Sequence, residues 1–455
     1  MKTEVVVTPA QALKAARKAL AIRLSDKYTT MNPNTMIHNV EESEMVYAAP
    51  HSGPHIENMR LCYKINLMAP EERHHAAVMV DAETEEIIDY RDYKYDADTS
   101  GQSYTSEYGK VDITVSTYSL GGYQAAQTTN RWINQQDCGT LNYNTCFQQT
   151  SRASRVTNSD RNSFGDKDSY DPYRMQPYYC AEKVWDYYRD IYGRVSFDGR
   201  ASEIQSYGIQ NAVNAFWVTY GGHGEMFFDY TPSVNLVCCD VVGHEMTHGV
   251  TGATAGLVYQ NESGALNEGF SDIMGSYFSQ KLTGDYNQWV IGYCTTFLFR
   301  DISDPKSQKY PDTYKGSYWV TGTADNGGVH TNSQVLTHIY YMMAVGETGT
   351  NDNGDSYSVK SIGRDNAADI SYRALTKYLT SSSDYADARQ GFINAATELF
   401  GASSQEVATT KDAFYAGGVG SPASASFWSL NSNFQFWIFS LFKLKAIRNI
   451  KTPLI

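Results

Sequence analysis

Apolar residues recur at helical spacing near the start of the chain. Leu13, Ala16, Leu20 and Leu24 share one face. Thr8-Pro9-Ala10-Gln11 ahead of them reads as an N-cap, a proline at the first helical position and a capping-box partner. Strand-like runs follow over residues 61–68, 76–81 and 86–90, and Ala82-Glu83-Thr84-Glu85 reads as the turn joining the last two. Residues 1 to about 100 thus predict a small α+β unit, and the polar Ser/Tyr/Gly stretch 98–109 a linker. From about 110 to 235 the chain is rich in Tyr, Gly, Asn and Thr, and residues 178–192 alone carry an amphipathic helical pattern. That portion predicts mostly β structure. After Val241 the pattern turns helical, over 241–251, 265–280, 333–345, 365–378, 385–400 and 404–415, with Gly401 as a helix stop. A β-rich half followed by an α-rich half predicts an α+β fold of two lobes with a cleft between them. No internal repeat is visible. From Ser421 the character changes again, to a linker-like Ser-Pro-Ala-Ser-Ala-Ser, an aromatic run, and Lys443, Lys445, Arg448 and Lys451 with no acid among them. This tail reads as an interfacial segment or as sequence outside the working fold, and the second is the expectation.

Composition narrows the classes. The chain has 455 residues, 42% hydrophobic and 19% charged, which excludes disorder, collagen and a coiled coil for its bulk. Thirty-seven basic against 50 acidic residues leave a net charge of −13, without the footprint that phosphate backbones require, so nucleic acid is not expected as a partner. No apolar run reaches the roughly 18 residues of a membrane-spanning helix. Of seven cysteines none is in C-x-x-C spacing, and six fall in one stretch. They read as disulfides of a secreted protein, with Cys138–Cys146 the first expected pair, or as buried thiols. Residues 1–21 lack a signal-peptide pattern, because Val5-Val6-Val7 is short and charge returns at Lys14. The protein is therefore cytosolic, or this sequence begins downstream of its true start.

The chemistry concentrates at His244-Glu245-Met246-Thr247-His248, on the first helix of the α-rich half. Residues four apart stack on one helix face, so both imidazoles reach a single metal ion. Glu245 is placed to act on water at that metal and not to ligate it. A chance H-[DE]-x-x-H is expected roughly 0.02 times in a chain of this composition. A catalytic zinc takes three protein ligands and keeps one position open. Glu268, opening the next helix, completes a His₂Glu set, and Asp272, four residues on, is placed to accept the spare ring N–H of His244.

These residues, with the surrounding Gly243–Thr251 and Ala255–Glu268 segments, Asn214-Ala215-Phe216-Trp217 and Asp325-Asn326-Gly327-Gly328-Val329-His330, resemble the thermolysin family of zinc metallopeptidases. The likeness covers about residues 110–420, and residues 1–100 look like that family's propeptide. The resemblance implies a proenzyme with a propeptide over 1–104, a β-rich lobe over 105–240, a helical lobe over 241–420 and a tail of unknown role over 421–455. It implies a secreted, monomeric endopeptidase acting on peptide or protein substrates, with the propeptide as an intramolecular partner. Zinc would be held by His244, His248 and Glu268, with Glu245 as general base. Tyr259 and His330 would donate to the oxyanion, Asp325 would orient His330, and Arg300 would bind a primed-side carbonyl. Asn214 and Ala215 would pair with an extended substrate. Val241, Ile291 and Phe299 would line an apolar primed-side pocket, favouring cleavage before bulky hydrophobic residues.

The sequence departs from the family at its paired calcium site. Asp240 keeps one acid, but the later positions read Ser279, Gln288, Val290 and Tyr293. Calcium is therefore not expected there. Two rivals stand beside the endopeptidase: a zinc aminopeptidase, which Leu266-Asn267-Glu268-Gly269-Phe270 also resembles, and an inactive zymogen or binding protein. The first lacks the G-x-M-E-N strand that recognises a free amino terminus.

Overall fold

The computed structural model describes residues 5–24, 38–39, 44–48, 59–69, 74–94, 98–117, 123–127, 133–139, 146, 153–165, 170–220, 222–285, 288–296 and 300–423. Helix α1 (Pro9–Leu24) opens with the expected capping box: Gln11 N–H donates to Thr8 Oγ1 at 3.3 Å and Thr8 N–H to Gln11 Oε1 at 3.0 Å. Its Ala12, Ala16, Leu20 and Ala21 are buried. They cover an antiparallel sheet of β1 (His38–Asn39), β2 (Glu44–Ala48), β3 (Arg60–Ala69), β4 (His74–Asp81) and β5 (Ile87–Lys94). The order is β1-β3-β4-β5, with β2 also on β3. Alternate residues Tyr63, Ile65, Leu67, Val78 and Val80 close this unit's own small core. Asp81 accepts the N–H groups of Glu83 and Thr84 and so shapes the turn into β5.

The stretch expected as a linker is not one. Residues 98–109 form strand β6 (Asp98–Thr105) and the turn into β7 (Gly109–Thr117), paired along their whole length. The difference has a physical cause. β6 presses on the backbone of 161–164, where a Cβ on Gly101 would lie 2.5 Å from Arg161 O. Its buried positions, Gly101, Ser103 and Thr105, are all small, so the strand looks like loop sequence.

The chain continues through β8 (Tyr123–Gln124), β9 (Ile133–Asp137), β10 (Ser154–Arg155), β11 (Thr157–Asn158), α2 (Asp171–Tyr192), β12 (Ile204–Ile209), β13 (Ala215–Tyr220) and β14 (His223–Asp229). Two sheets result, β11-β8-β7-β6 and β10-β9-β12-β14-β13, with β13 at an edge. The helical lobe comprises α3 (Cys239–Ala253), α4 (Asn261–Thr283), the ribbon β15 (Val290–Ile291) and β16 (Arg300–Asp301), α5 (Asp325–Asn332), α6 (Gln334–Val345), the hairpin β17 (Glu347–Thr350) and β18 (Ser356–Val359), α7 (Arg364–Arg373), α8 (Tyr385–Phe400) and α9 (Gln405–Ala416). The helix expected to end at Tyr378 leaves α-geometry after Arg373 and finishes as a π turn over Ala374–Tyr378. One apolar core, from Ile113 through Phe270 to Val419, runs under both lobes.

Cys138–Cys146 is bonded as expected, and Cys180–Cys239 and Cys238–Cys294 are bonded as well; Cys62 is unbonded and buried. Among the described residues no helix is long and apolar enough to cross a membrane. The tail from residue 424 on lies outside the described residues.

Candidate metal centre

Two glycines bring the key helices together. A Cβ on Gly243 of α3 would lie 2.9 Å from the Gly275 Cα of α4, and one on Gly275 would lie 2.3 Å from Asp240 O. Without side chains there, the backbones touch, and the faces carrying His244/His248 and Glu268/Asp272 meet one turn further along. Nε2 of His244 and Nε2 of His248 are 3.0 Å apart, and the Glu268 carboxylate oxygens lie 3.4 Å and 3.3 Å from them. A tetrahedral ion with bonds of about 2.0–2.1 Å sets its ligand atoms about 3.3–3.4 Å apart, so the donor set fits zinc. Among the described residues this is the one group of three or more His, Cys, Asp or Glu that converges in this way. Glu268 Oε2 is buried without a hydrogen-bond partner, as expected of an atom meant for a cation.

Each imidazole is held from behind. Nδ1 of His244 donates to Asp272 Oδ1 at 2.8 Å, and Nδ1 of His248 to Asn267 Oδ1 at 2.8 Å. A carboxylate oxygen and an amide oxygen only accept, so Nδ1 of each ring carries a proton and Nε2 is the nitrogen turned to the centre. Asn267 is fixed in turn by donating to Leu257 O at 3.1 Å. Asp272 also accepts from Arg300 Nε at 2.6 Å and Nη2 at 2.8 Å, and from Gln334 Nε2 at 3.1 Å. Neither Asn267 nor Gln334 was expected. Asn267 sits on the rung beside a ligand and Gln334 on a distant helix, so neither offers a spacing signal.

The electrostatics point the same way. Burial alone would lower the His244 pKa, but Glu268 and Asp272 outweigh it and push it up to about 10. Burial favours a neutral Glu268, yet the two imidazoles hold its carboxyl well below the usual carboxylate range. Three buried carboxylates, Glu245, Glu268 and Asp272, surround the fixed cation Arg300 and the two ligand imidazoles. A bound divalent ion would supply the positive charge that His244 otherwise takes up as a proton. Burial raises the pKa of Glu245, whose Oε2 has no hydrogen-bond partner.

On the open side, Tyr259 OH donates to Glu268 Oε1 and lies 3.1 Å from His330 Nε2. Burial and the Glu268 charge push the Tyr259 hydroxyl well above its ordinary pKa, so it keeps its proton for donation. Asp325 accepts from His330 Nδ1 at 2.7 Å and from the His330 N–H at 3.0 Å. Four successive residues, Asp325 to Gly328, adopt positive φ to make this clasp. A cleft of about 270 Å³ opens over the centre, lined by Val213, Asn214, Ala215, Leu236, Val241, His244, Glu245, Ile291, Arg300 and His330. All the expected substrate-side residues are therefore on its walls except Phe299, which lies outside the described residues. Val213 and Leu236 were not expected.

Two family models match the chain across this region. The thermolysin metallopeptidase catalytic domain matches residues 98–252 and the thermolysin metallopeptidase alpha-helical domain residues 255–419. The thermostable neutral protease NprT of Geobacillus stearothermophilus is 42% identical over 267 residues, 55% of this chain and 46% of the relative. Neutral protease B of Bacillus subtilis (strain 168) is 33% identical over 388 residues, 82% of this chain and 67% of the relative. A solved structure, the precursor of protealysin, a metalloproteinase from Serratia proteamaculans, shares 24% identity at a TM-score of 0.49, over 63% of this chain and 87% of that one. The chain spans about half the length of the curated relatives first matched, such as NprT. The two family models together cover most of the sequence, both lobes and every residue of the metal centre, and the chain belongs to the thermolysin metallopeptidase family.

Proposed function

We propose that the protein is a secreted, monomeric zinc endopeptidase that cleaves internal peptide bonds before bulky hydrophobic residues. The observation that carries this reading is the convergence of His244, His248 and Glu268 beside a buried, unpartnered Glu245 in a cleft flanked by an edge strand. An extended peptide adds to the open edge of β13, its amide groups pairing with Ala215 and with the Asn214 side chain. Its side chain beyond the scissile bond enters the apolar wall of Val241 and Ile291, with the Arg300 guanidinium beside the next carbonyl. Zinc, when bound, makes water acidic enough to supply hydroxide near neutral pH and polarises the scissile carbonyl. Glu245 accepts the proton of the attacking water and passes it to the leaving amine. Tyr259 OH and His330 Nε2 donate to the oxygen on which negative charge develops. Asp325 accepts from His330 Nδ1 and so holds the ring with Nε2 towards that oxygen.

Residues ahead of Asp98 form the propeptide in this reading, with processing before β6, since a cut further on would divide a paired hairpin.

The full chain, incubated with casein and with an end-blocked internal peptide, is expected to cleave both, and 1,10-phenanthroline to stop both. A calcium-selective chelator is expected to leave rate and thermal midpoint unchanged, because Asp240 is bonded by the N–H groups of Val241 and Gly292 and Tyr293 by Tyr108. Cleavage of unblocked peptides alone would mean an aminopeptidase. No cleavage even after residues 1–97 are removed would mean a binding protein.

The His330 clasp makes its own prediction. Gly327 has φ +92°, and a Cβ there would lie 2.2 Å from Asn261 Oδ1. Gly327→Ala is expected to displace His330 and lower kcat/KM about 10²-fold, with zinc content unchanged by elemental analysis.

A further inference from the structure

Cys238 and Cys239 are adjacent in sequence but are bonded in different directions. Cys239, in the first turn of α3, is bonded to Cys180 of α2, and both are buried. Cys238, the residue before α3, is bonded to Cys294 just past β15. The Cys239 bond joins helices within the core. The Cys238 bond joins the two chain segments that wall the cleft: Leu236 and Val241 lie two residues before and three after Cys238, and Ile291 lies three before Cys294.

We propose that the Cys238–Cys294 disulfide is a positioning device for the apolar primed-side pocket, setting how strongly the enzyme prefers a bulky side chain there. This rests on the peptidase reading above. The ribbon carrying Ile291 is tethered at two points. At one, Ile291 pairs with Arg300, which is locked onto Asp272. At the other, Cys294 is bonded to Cys238, supported by Asn235 Nδ2 donating to Cys294 O at 2.8 Å and Gly292 N–H to Asp240 Oδ2 at 2.7 Å. Ile291 is itself the first of these points, and the disulfide three residues on is the covalent link between its strand and the segment carrying Leu236 and Val241. The metal ligands and Glu245 lie on elements other than this ribbon. His244, Glu245, His248 and Glu268 are set by the Gly243–Gly275 contact between α3 and α4.

Loss of the tie therefore lets the pocket walls separate while the metal centre stays in place. A bulky substrate side chain loses contact, and a small one loses almost none.

The test compares Cys238→Ser/Cys294→Ser with Cys180→Ser/Cys239→Ser in the full chain, using two blocked peptides that differ by leucine or alanine just after the scissile bond. The Cys238/Cys294 variant is expected to lose about 10-fold in kcat/KM on the leucine peptide, through KM, and under 2-fold on the alanine peptide. Its zinc content and kcat stay unchanged. The Cys180/Cys239 variant is expected to lower the thermal midpoint without changing the leucine-to-alanine preference. Should the first variant not fold, mild reduction and alkylation of the folded wild type, mapped to Cys238 and Cys294 by mass spectrometry, gives the same readout. An unchanged preference, or equal loss on both peptides, overturns the proposal. If the wild type cleaves neither peptide, it is the peptidase reading that fails.

Discussion

Glu245→Gln is expected to lower kcat about 10²–10⁴-fold while leaving one zinc bound. The side chains have the same size, and Glu245 is not one of the three converging ligands, so neither packing nor metal affinity should change. What the amide lacks is the capacity to accept a proton. Glu245 is only 5% exposed, one residue from His244, with Oε2 facing no hydrogen-bond donor. Its burial raises its pKa, bringing the carboxylate nearer the neutral range where a base that must also act as an acid works best. Steady-state kinetics on a blocked peptide, with metal analysis of the same sample, check this. A variant keeping more than a tenth of wild-type kcat would assign the proton transfer to another group.

Asp272→Ala is expected to act on stability and metal affinity together. Asp272 is fully buried and accepts four hydrogen bonds, from His244, twice from Arg300, and from Gln334. Truncation leaves the Arg300 guanidinium, itself mostly buried, with no carboxylate against it, which costs about 3–5 kcal/mol. It also lets the His244 ring turn, which is expected to weaken zinc binding about 10–100-fold. Asp272→Asn keeps the shape and part of the bonding and should fall between. Burial opposes the charge, but Arg300 and His244 hold the Asp272 pKa down to about 2. A depressed carboxyl pKa contributes stability above the unfolded value of about 3.9, and that contribution is lost as pH falls towards 2. The difference between wild type and variant should therefore be complete at pH 7 and shrink below pH 4. Urea midpoints across that range, with zinc titration at pH 7, measure both effects. Equal midpoints at pH 7 would show that Arg300 finds another partner.

How much of this was legible in the sequence follows from the range of each signal. Helical spacing is local, so His244/His248 and Glu268/Asp272 announce themselves as pairs on shared faces. The fit between the pairs is tertiary. It depends on Gly243 and Gly275, which in sequence are merely two glycines inside helices. Asn267 and Gln334 orient ligands from positions that no periodicity marks. The Cys138–Cys146 bond was legible from its short separation, whereas the pairing of adjacent Cys238 and Cys239 requires knowing that α2 and the β15 ribbon lie on either side of α3. Strand β6 is not legible because its buried positions, Gly101, Ser103 and Thr105, are residues that serve equally in a flexible tether. Helix α2 starts seven residues before its legible pattern, at Asp171, because Pro172 in its first turn and Pro177 inside it look like breakers.

Zinc X-ray absorption on the purified full chain, with metal content by elemental analysis, tests the centre most directly. The expected result is one zinc per chain, with two imidazole nitrogens, one carboxylate and one oxygen from solvent. A zinc-free folded protein, or a fourth protein side chain completing the shell, would contradict it.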